Sequence, residues 1–116
     1  MLVVPDAAIV RELEPDFRAL GALTDVRGVY VTAAGDDGEF DIVSRCFAPK
    51  VGIDEDPVTG SMHCVLGPYW CERLGQTELH AHQASERGGV VDIRLEGDRA
   101  LLVGHAVSTL RGELLV

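Results

Sequence analysis

Positive charge is scarce in this sequence: ten Lys and Arg stand against nineteen Asp and Glu, a formal net charge of −9 over 116 residues. A surface of that sign repels phosphate backbones and anionic headgroups, which argues against nucleic acid and membrane surfaces as partners. Long apolar runs are missing as well, since nothing approaches the ~18 residues a membrane span needs. Met1-Leu2-Val3-Val4-Pro5-Asp6 has neither a basic n-region nor an extended apolar h-region, so the chain reads as soluble and cytoplasmic. The three cysteines, Cys46, Cys64 and Cys71, are odd in number, lack Cys-x-x-Cys spacing and lie in apolar sequence. Buried reduced thiols are expected rather than a disulfide framework or a thiolate metal site. Repeats, low-complexity tracts and Ser/Gly/Pro-rich linkers are absent too, and the length leaves room for one domain, residues 1–116, with a radius of gyration of about 13 Å. What is present, 47 % hydrophobic residues, is enough to build a packed core.

Periodicity divides that domain. Leu2-Val3-Val4 is a short strand candidate, and Ile9, Leu13, Phe17 and Leu20 fall at helical spacing, with Pro15-Asp16 splitting the stretch into two short helices. From Gly28 the period becomes two, and 28–47 reads as a hairpin about the turn cluster Gly35-Asp36-Asp37-Gly38. Its second strand places Phe40, Ile42 and Cys46 on one face and Asp41, Val43, Arg45 and Phe47 on the other, both partly apolar. Further strands are expected at Glu78–Ser85, Val90–Leu95, Ala100–Leu110 and Glu113–Val116. Between the β regions one segment, Pro57 to Leu74, is apolar on most sides and reads as a buried helix ending at Gly75. Gly67-Pro68 should kink or break it, because proline lacks the N–H for the intrahelical bond. The fold class is therefore α+β, a curved, mostly antiparallel sheet wrapped around a central helix.

The stretch Gly52-Ile53-Asp54-Glu55-Asp56-Pro57-Val58-Thr59-Gly60-Ser61-Met62-His63 carries the chemistry-bearing residues. Two readings stand side by side. In one, Asp56 is an N-cap with Pro57 at the first helical position, and the acids complement the positive helix end. In the other, Thr59-Gly60-Ser61 presents hydroxyls and backbone N–H groups to a substrate carboxylate. Gln83, Ser85 and Arg87 with Gly88 either line the same cleft, Arg87 pairing with an acid, or form a surface turn. His80 and His82 alternate on one strand, and no third ligand is spaced to complete a metal site with them. His63 reads as a packed histidine beside the site.

Arg45-Cys46-Phe47-Ala48-Pro49, Glu55-Asp56-Pro57-Val58-Thr59-Gly60-Ser61 with His63, Pro68-Tyr69-Trp70, Gln83-Ala84-Ser85, Arg87-Gly88-Gly89 and the closing Gly104-His105-Ala106 and Arg111-Gly112-Glu113-Leu114 resemble, in order and spacing, the PhzF-like isomerases of the phenazine biosynthesis family. The resemblance implies a diaminopimelate epimerase-like fold of two similar domains, each a helix held in a curved sheet, with the active site between them. This chain resembles the C-terminal domain alone. The implied chemistry is cofactor-free proton transfer next to a carboxylate. Asp56 would act as acid/base partner, Ser61 with Gly60 as carboxylate binder, and Glu55, Thr59, Gln83, Ser85, Arg87 and Gly88 as substrate contacts. The family's principal base is a Glu of the N-terminal domain, which has no counterpart here. Three functions follow: an isomerase of a small carboxylic acid completed by another chain, as homodimer or with an N-terminal half; a non-catalytic anion-binding or interaction module; or a fragment of a split gene.

Overall fold

The computed structural model describes residues 1–115. Strand β1 (Leu2–Val3) precedes helices α1 (Ala7–Glu12) and α2 (Phe17–Gly21); β2 (Val29–Ala34) and β3 (Ile42–Ala48) form the expected hairpin. A 3-10 turn (Pro49–Val51) leads to β4 (Ile53–Glu55), helix α3 (Gly60–Leu74), and strands β5 (Glu78–Gln83), β6 (Gly89–Glu96) and β7 (Arg99–Val103). The two short helices divide where the sequence places the break, because each has its own aspartate cap. Asp6 Oδ1 accepts the Ala8 N–H at 2.7 Å, and Asp16 Oδ1 accepts that of Ala19 at 2.9 Å.

All strands join one sheet in the order β1-β2-β3-β5-β6-β7, with β4 added to β3. Four of its six pairings are antiparallel, whereas β1 with β2 and β3 with β5 run parallel. The parallel β3–β5 pairing needs a crossover, and α3 supplies it. This helix lies on one face of the sheet, where Met62, Leu66, Trp70 and Cys71 pack with Ile42, Cys46, Leu79, Ala81, Val91 and Ile93. On the other face α1 and α2 cover Val31, Ala33, Val43 and Phe47. Covered from both sides, β3 is buried from Ile42 to Phe47, which is why both of its faces are apolar in sequence.

Several expectations are corrected. The central helix begins at Gly60 rather than Pro57 and continues through Pro68 without a break. Pro68 is exposed, so the carbonyl it leaves without an N–H partner can be solvated. Gly67 faces the sheet instead; a methyl group there would stand 2.8 Å from Ile93 Cγ2. The helix is buried on one side only. Cys64 and Val65 are exposed, so of the three free thiols only Cys46 and Cys71 are buried. The strand expected at Ala100–Leu110 stops at Val103, and no strand forms over 113–115; Val116, the last residue of that expectation, lies outside the described residues. From Gly104 to Leu115 every residue is exposed and none is in regular structure. The radius of gyration is 15.6 Å, above the expected figure.

Candidate active site

The loop between β4 and α3 is built by side chains, not by a helix cap. Asp56 leaves β4 with its N–H donating to the Cys46 carbonyl at 2.9 Å. Its carboxylate does not cap α3: Oδ2 accepts the Thr59 hydroxyl at 2.5 Å. Thr59 is the N-cap residue, yet it makes no side-chain cap bond. The first N–H groups of α3, at Gly60, Ser61 and Met62, are thus left without an internal cap, at the positive end of a fifteen-residue helix. The capping reading of Asp56 is replaced by a different geometry. It fails because Pro57 and Val58 form a bend and push the helix start three residues on, out of the aspartate's reach.

Gln83, at the end of β5, holds this loop. Fully buried, it accepts the Thr59 N–H on Oε1 at 2.7 Å and donates from Nε2 to the Asp56 carbonyl at 2.6 Å and to Thr59 Oγ1 at 3.1 Å. His63, one turn into α3 and also fully buried, donates from Nδ1 to the Thr59 carbonyl at 2.7 Å. A carbonyl only accepts, so Nδ1 carries the proton and Nε2 is the bare nitrogen. Burial pushes the His63 pKa down, keeping the ring neutral.

Asp56, Thr59 and Ser61 line a cavity of about 100 Å³ together with Arg27, Tyr30 and Cys46. Burial raises the Cys46 thiol, which therefore stays protonated and is a poor base. Glu55 is elsewhere engaged: Arg45 grips it bidentately at 2.7 and 2.9 Å and also donates to the Leu13 carbonyl at 2.6 Å. Glu55, Ser85 and Arg87 line a separate depression of about 410 Å³ on the other side of the loop. There Ser85 donates to the Pro57 carbonyl at 2.8 Å and accepts the Gly88 N–H at 3.2 Å. Gly88 sits at φ +68°, a conformation L side chains rarely adopt. The expected cluster is thus split in two, with Gln83 buried behind it. Gly60 is exposed, and a methyl group there would meet only Leu102 Cδ1 at 3.8 Å, so the fold itself does not demand glycine at this point.

Arg27, Tyr30 and Cys46 were not among the expected site residues. Tyr30 and Cys46 are cross-strand partners in the hairpin, so their meeting was recoverable from its register. Arg27 stands alone before Gly28 and carries no spacing signal. His80 and His82 both stack with Phe40, centroids 5.0 and 4.8 Å away, and His80 Nδ1 lies 2.5 Å from Asp92 Oδ1. Among the described residues no group of three or more His, Cys, Asp or Glu is placed to hold a metal.

The profile of the phenazine biosynthesis-like protein family matches residues 1–112. An uncharacterized isomerase of Halalkalibacterium halodurans is 52 % identical over 92 % of this chain and 40 % of its own length. Another, of Pseudomonas aeruginosa, is 49 % identical over 98 % of this chain and 42 % of its own. Mouse phenazine biosynthesis-like domain-containing protein 2 is 52 % identical over 77 % of the chain and 33 % of its own. In three dimensions the crystal structure of a PhzF family phenazine biosynthesis protein from Enterococcus faecalis superposes with a TM-score of 0.81 at 48 % identity, covering 86 % of this chain and 38 % of that one. The chain spans 33–42 % of the length of these relatives.

Proposed function

We propose, for a chain that belongs to the phenazine biosynthesis-like family, that it supplies one wall of a cofactor-independent isomerase or epimerase site for a small carboxylic acid. The observation that carries this reading is Asp56. Its carboxylate lines the cavity of about 100 Å³ beside Ser61, held by one hydroxyl on Oδ2, while Oδ1 has no hydrogen-bond partner among the described residues. A carboxylate in that setting can take a proton from a substrate carbon or return one. The uncapped N–H groups of Gly60 and Ser61 suit a substrate carboxylate, and Arg27 gives the cavity its cation. Holding the carboxylate against these donors would favour the negative charge that develops when the neighbouring C–H is broken. The proton leaves to one base and is returned from the same or another base at a new position or face; no electrons are exchanged with a third party.

Epimerisation with return from the opposite face requires two groups, and Asp56 is the one carboxylate that lines this cavity. Glu55, bound by Arg45, is not available as the second. Another chain would therefore supply it, either a second copy presenting its own Asp56 or an N-terminal PhzF-like half. The partial coverage of every relative cited supports this. So do the apolar side chains left in solvent: Leu2, Val3, Ile53 and, on the projecting segment, Val107, Leu110, Leu114 and Leu115. A homodimer should bury more than about 1,000 Å² in total, and a monomer at micromolar concentration in sedimentation equilibrium would remove it.

The test of function is deuterium incorporation from heavy water into a panel of small unsaturated and amino acids, by the chain alone and with an N-terminal PhzF-like half. Asp56→Asn should cut exchange by at least ~10²-fold with the fold intact. Silence across the panel in both preparations, with ligand binding retained, would make the chain an anion-binding half-domain instead.

A further inference from the structure

We infer that Gln83 is a positioning residue: acting through Thr59, it fixes which oxygen of the Asp56 carboxylate exchanges protons. The inference rests on the reading of Asp56 as an acid–base group. The hydrogen-bond directions are set by groups that have no choice. The Thr59 N–H can only donate, so Oε1 of Gln83 faces it at 2.7 Å; the Asp56 carbonyl can only accept, so Nε2 faces that at 2.6 Å. The second Nε2 proton is then directed at Thr59 Oγ1, 3.1 Å away. With an incoming donor on that oxygen, the single hydroxyl proton of Thr59 turns to Asp56 Oδ2, 2.5 Å away. His63 closes the frame by holding the Thr59 carbonyl. Every polar atom of Thr59 is therefore engaged, and the chain of donors runs one way, from Gln83 to Thr59 to Asp56.

This direction has a consequence for proton transfer. A proton on Oδ2 would turn that oxygen into a hydroxyl, a weaker acceptor for Thr59, and Thr59 could not reverse its own proton without pointing it at the Gln83 amide hydrogens. Oδ1 has no such partner among the described residues. Protonation therefore falls on Oδ1, and Oδ2 accepts the same hydrogen bond in the charged and the neutral state. Asp56 can pick up and release a proton with no rearrangement around it, which is the preorganisation an acid–base group needs. The role is indirect, because Gln83 is fully buried behind the loop.

The experiment uses the full chain with two readouts. In wild type, NMR of threonine-labelled protein should detect the Thr59 hydroxyl proton exchanging with solvent at least tenfold more slowly than in Asp56→Ala or Gln83→Met. Thr59→Val, which removes the hydroxyl and keeps the backbone contacts to Gln83, guards against a Gln83 variant that fails to fold. In the deuterium-incorporation assay, with the acid from the panel that exchanges fastest, Thr59→Val should lower kcat about tenfold with KM within twofold, and Thr59→Ser should restore it to within threefold. A Thr59 hydroxyl proton that exchanges as fast in wild type as in Asp56→Ala overturns the positioning role, as does a Thr59→Val variant with wild-type kcat. Should no acid in the panel exchange, with the chain alone or with the N-terminal PhzF-like half, while the slow hydroxyl proton is present and lost in the variants, the acid–base reading of Asp56 falls and the Gln83–Thr59 frame stands.

Discussion

Two stretches of this chain lack regular structure for opposite reasons. Asp56 to Thr59 belongs to no strand or helix, yet Cys46 binds its first N–H, Gln83 and His63 bind the backbone and hydroxyl groups of Thr59, and Val58 packs against the core. Gly104 to Leu115 is as irregular, but its apolar side chains Val107, Leu110, Leu114 and Leu115 are 86–91 % exposed. Irregular backbone is held in place where buried side chains satisfy its polar groups, and apolar residues do not make a strand without a neighbour to pair with. On the proposed reading, the first stretch is a finished wall of a site and the second a surface without its cover.

The contrast breaks most severely from the core side. Leu66 is fully buried on the face of α3 that carries the loop's helix, so Leu66→Ala should cost about 2–5 kcal/mol by lost transfer and cavity formation, measured in urea unfolding. A loss under about 1 kcal/mol would mean that α3 is not the anchor the packing indicates. Next comes Gly89, where a methyl group would stand 2.1 Å from Val58 Cγ2. Gly89→Ala must push Val58 and the loop outward, at about 1–3 kcal/mol. Because the same loop holds Asp56, the variant should also lower deuterium exchange, and unchanged stability would show that the loop yields freely.

Much of this architecture was legible locally, and what was not depended on partners distant in sequence. The two short helices announce themselves through Asp6 and Asp16, each capping an N–H two or three residues on. The inward and outward faces of β3 follow from strict alternation, confirmed by Ile42 and Cys46 in one cluster and Val43 and Phe47 in the other. Strand β4 escaped because it has three residues, two of them exposed, too short for a period to register. The two readings of Asp56, cap or site residue, stand side by side because the short-range signal, an acid before Pro at a helix start, is the same whether the carboxylate meets a backbone N–H or a threonine hydroxyl. Only Gln83, twenty-four residues from Thr59, distinguishes the two. The parallel β3–β5 pairing that brings Gln83 beside Ser44 carries no local mark either.

Acidification sharpens the comparison within the buried frame. Burial lowers the folded-state pKa of His63, and of His82 to which Arg11 also contributes, while in the unfolded chain each titrates near ~6.5. Below that value the unfolded chain binds protons that the folded one refuses. Stability is then complete above the unfolded pKa and lost as pH falls toward the folded one. Stability should therefore fall between pH 7 and 5.5. His63→Asn, whose amide N–H can take the place of Nδ1, should flatten much of that slope in urea midpoints collected across the range. An unchanged slope would assign the acid sensitivity to other groups.

The smallest effect belongs to the open stretch. Among the described residues, removing 104–116 takes away no strand pairing and no member of either buried cluster. The unfolding free energy of the remaining chain should move by less than about 0.5 kcal/mol, the range for exposed positions. Apolar surface this exposed on a chain of net charge −9 is costly only to solubility and association, so its loss should raise solubility and leave the melting transition where it was. If the chain is one wall of a shared site, the same truncation should weaken the complex with the other chain, seen as dissociation in sedimentation at concentrations where the full chain is assembled. A truncated chain that loses several kcal/mol would place these side chains inside the folded domain, and the contrast between a finished wall and an uncovered one would have to be withdrawn.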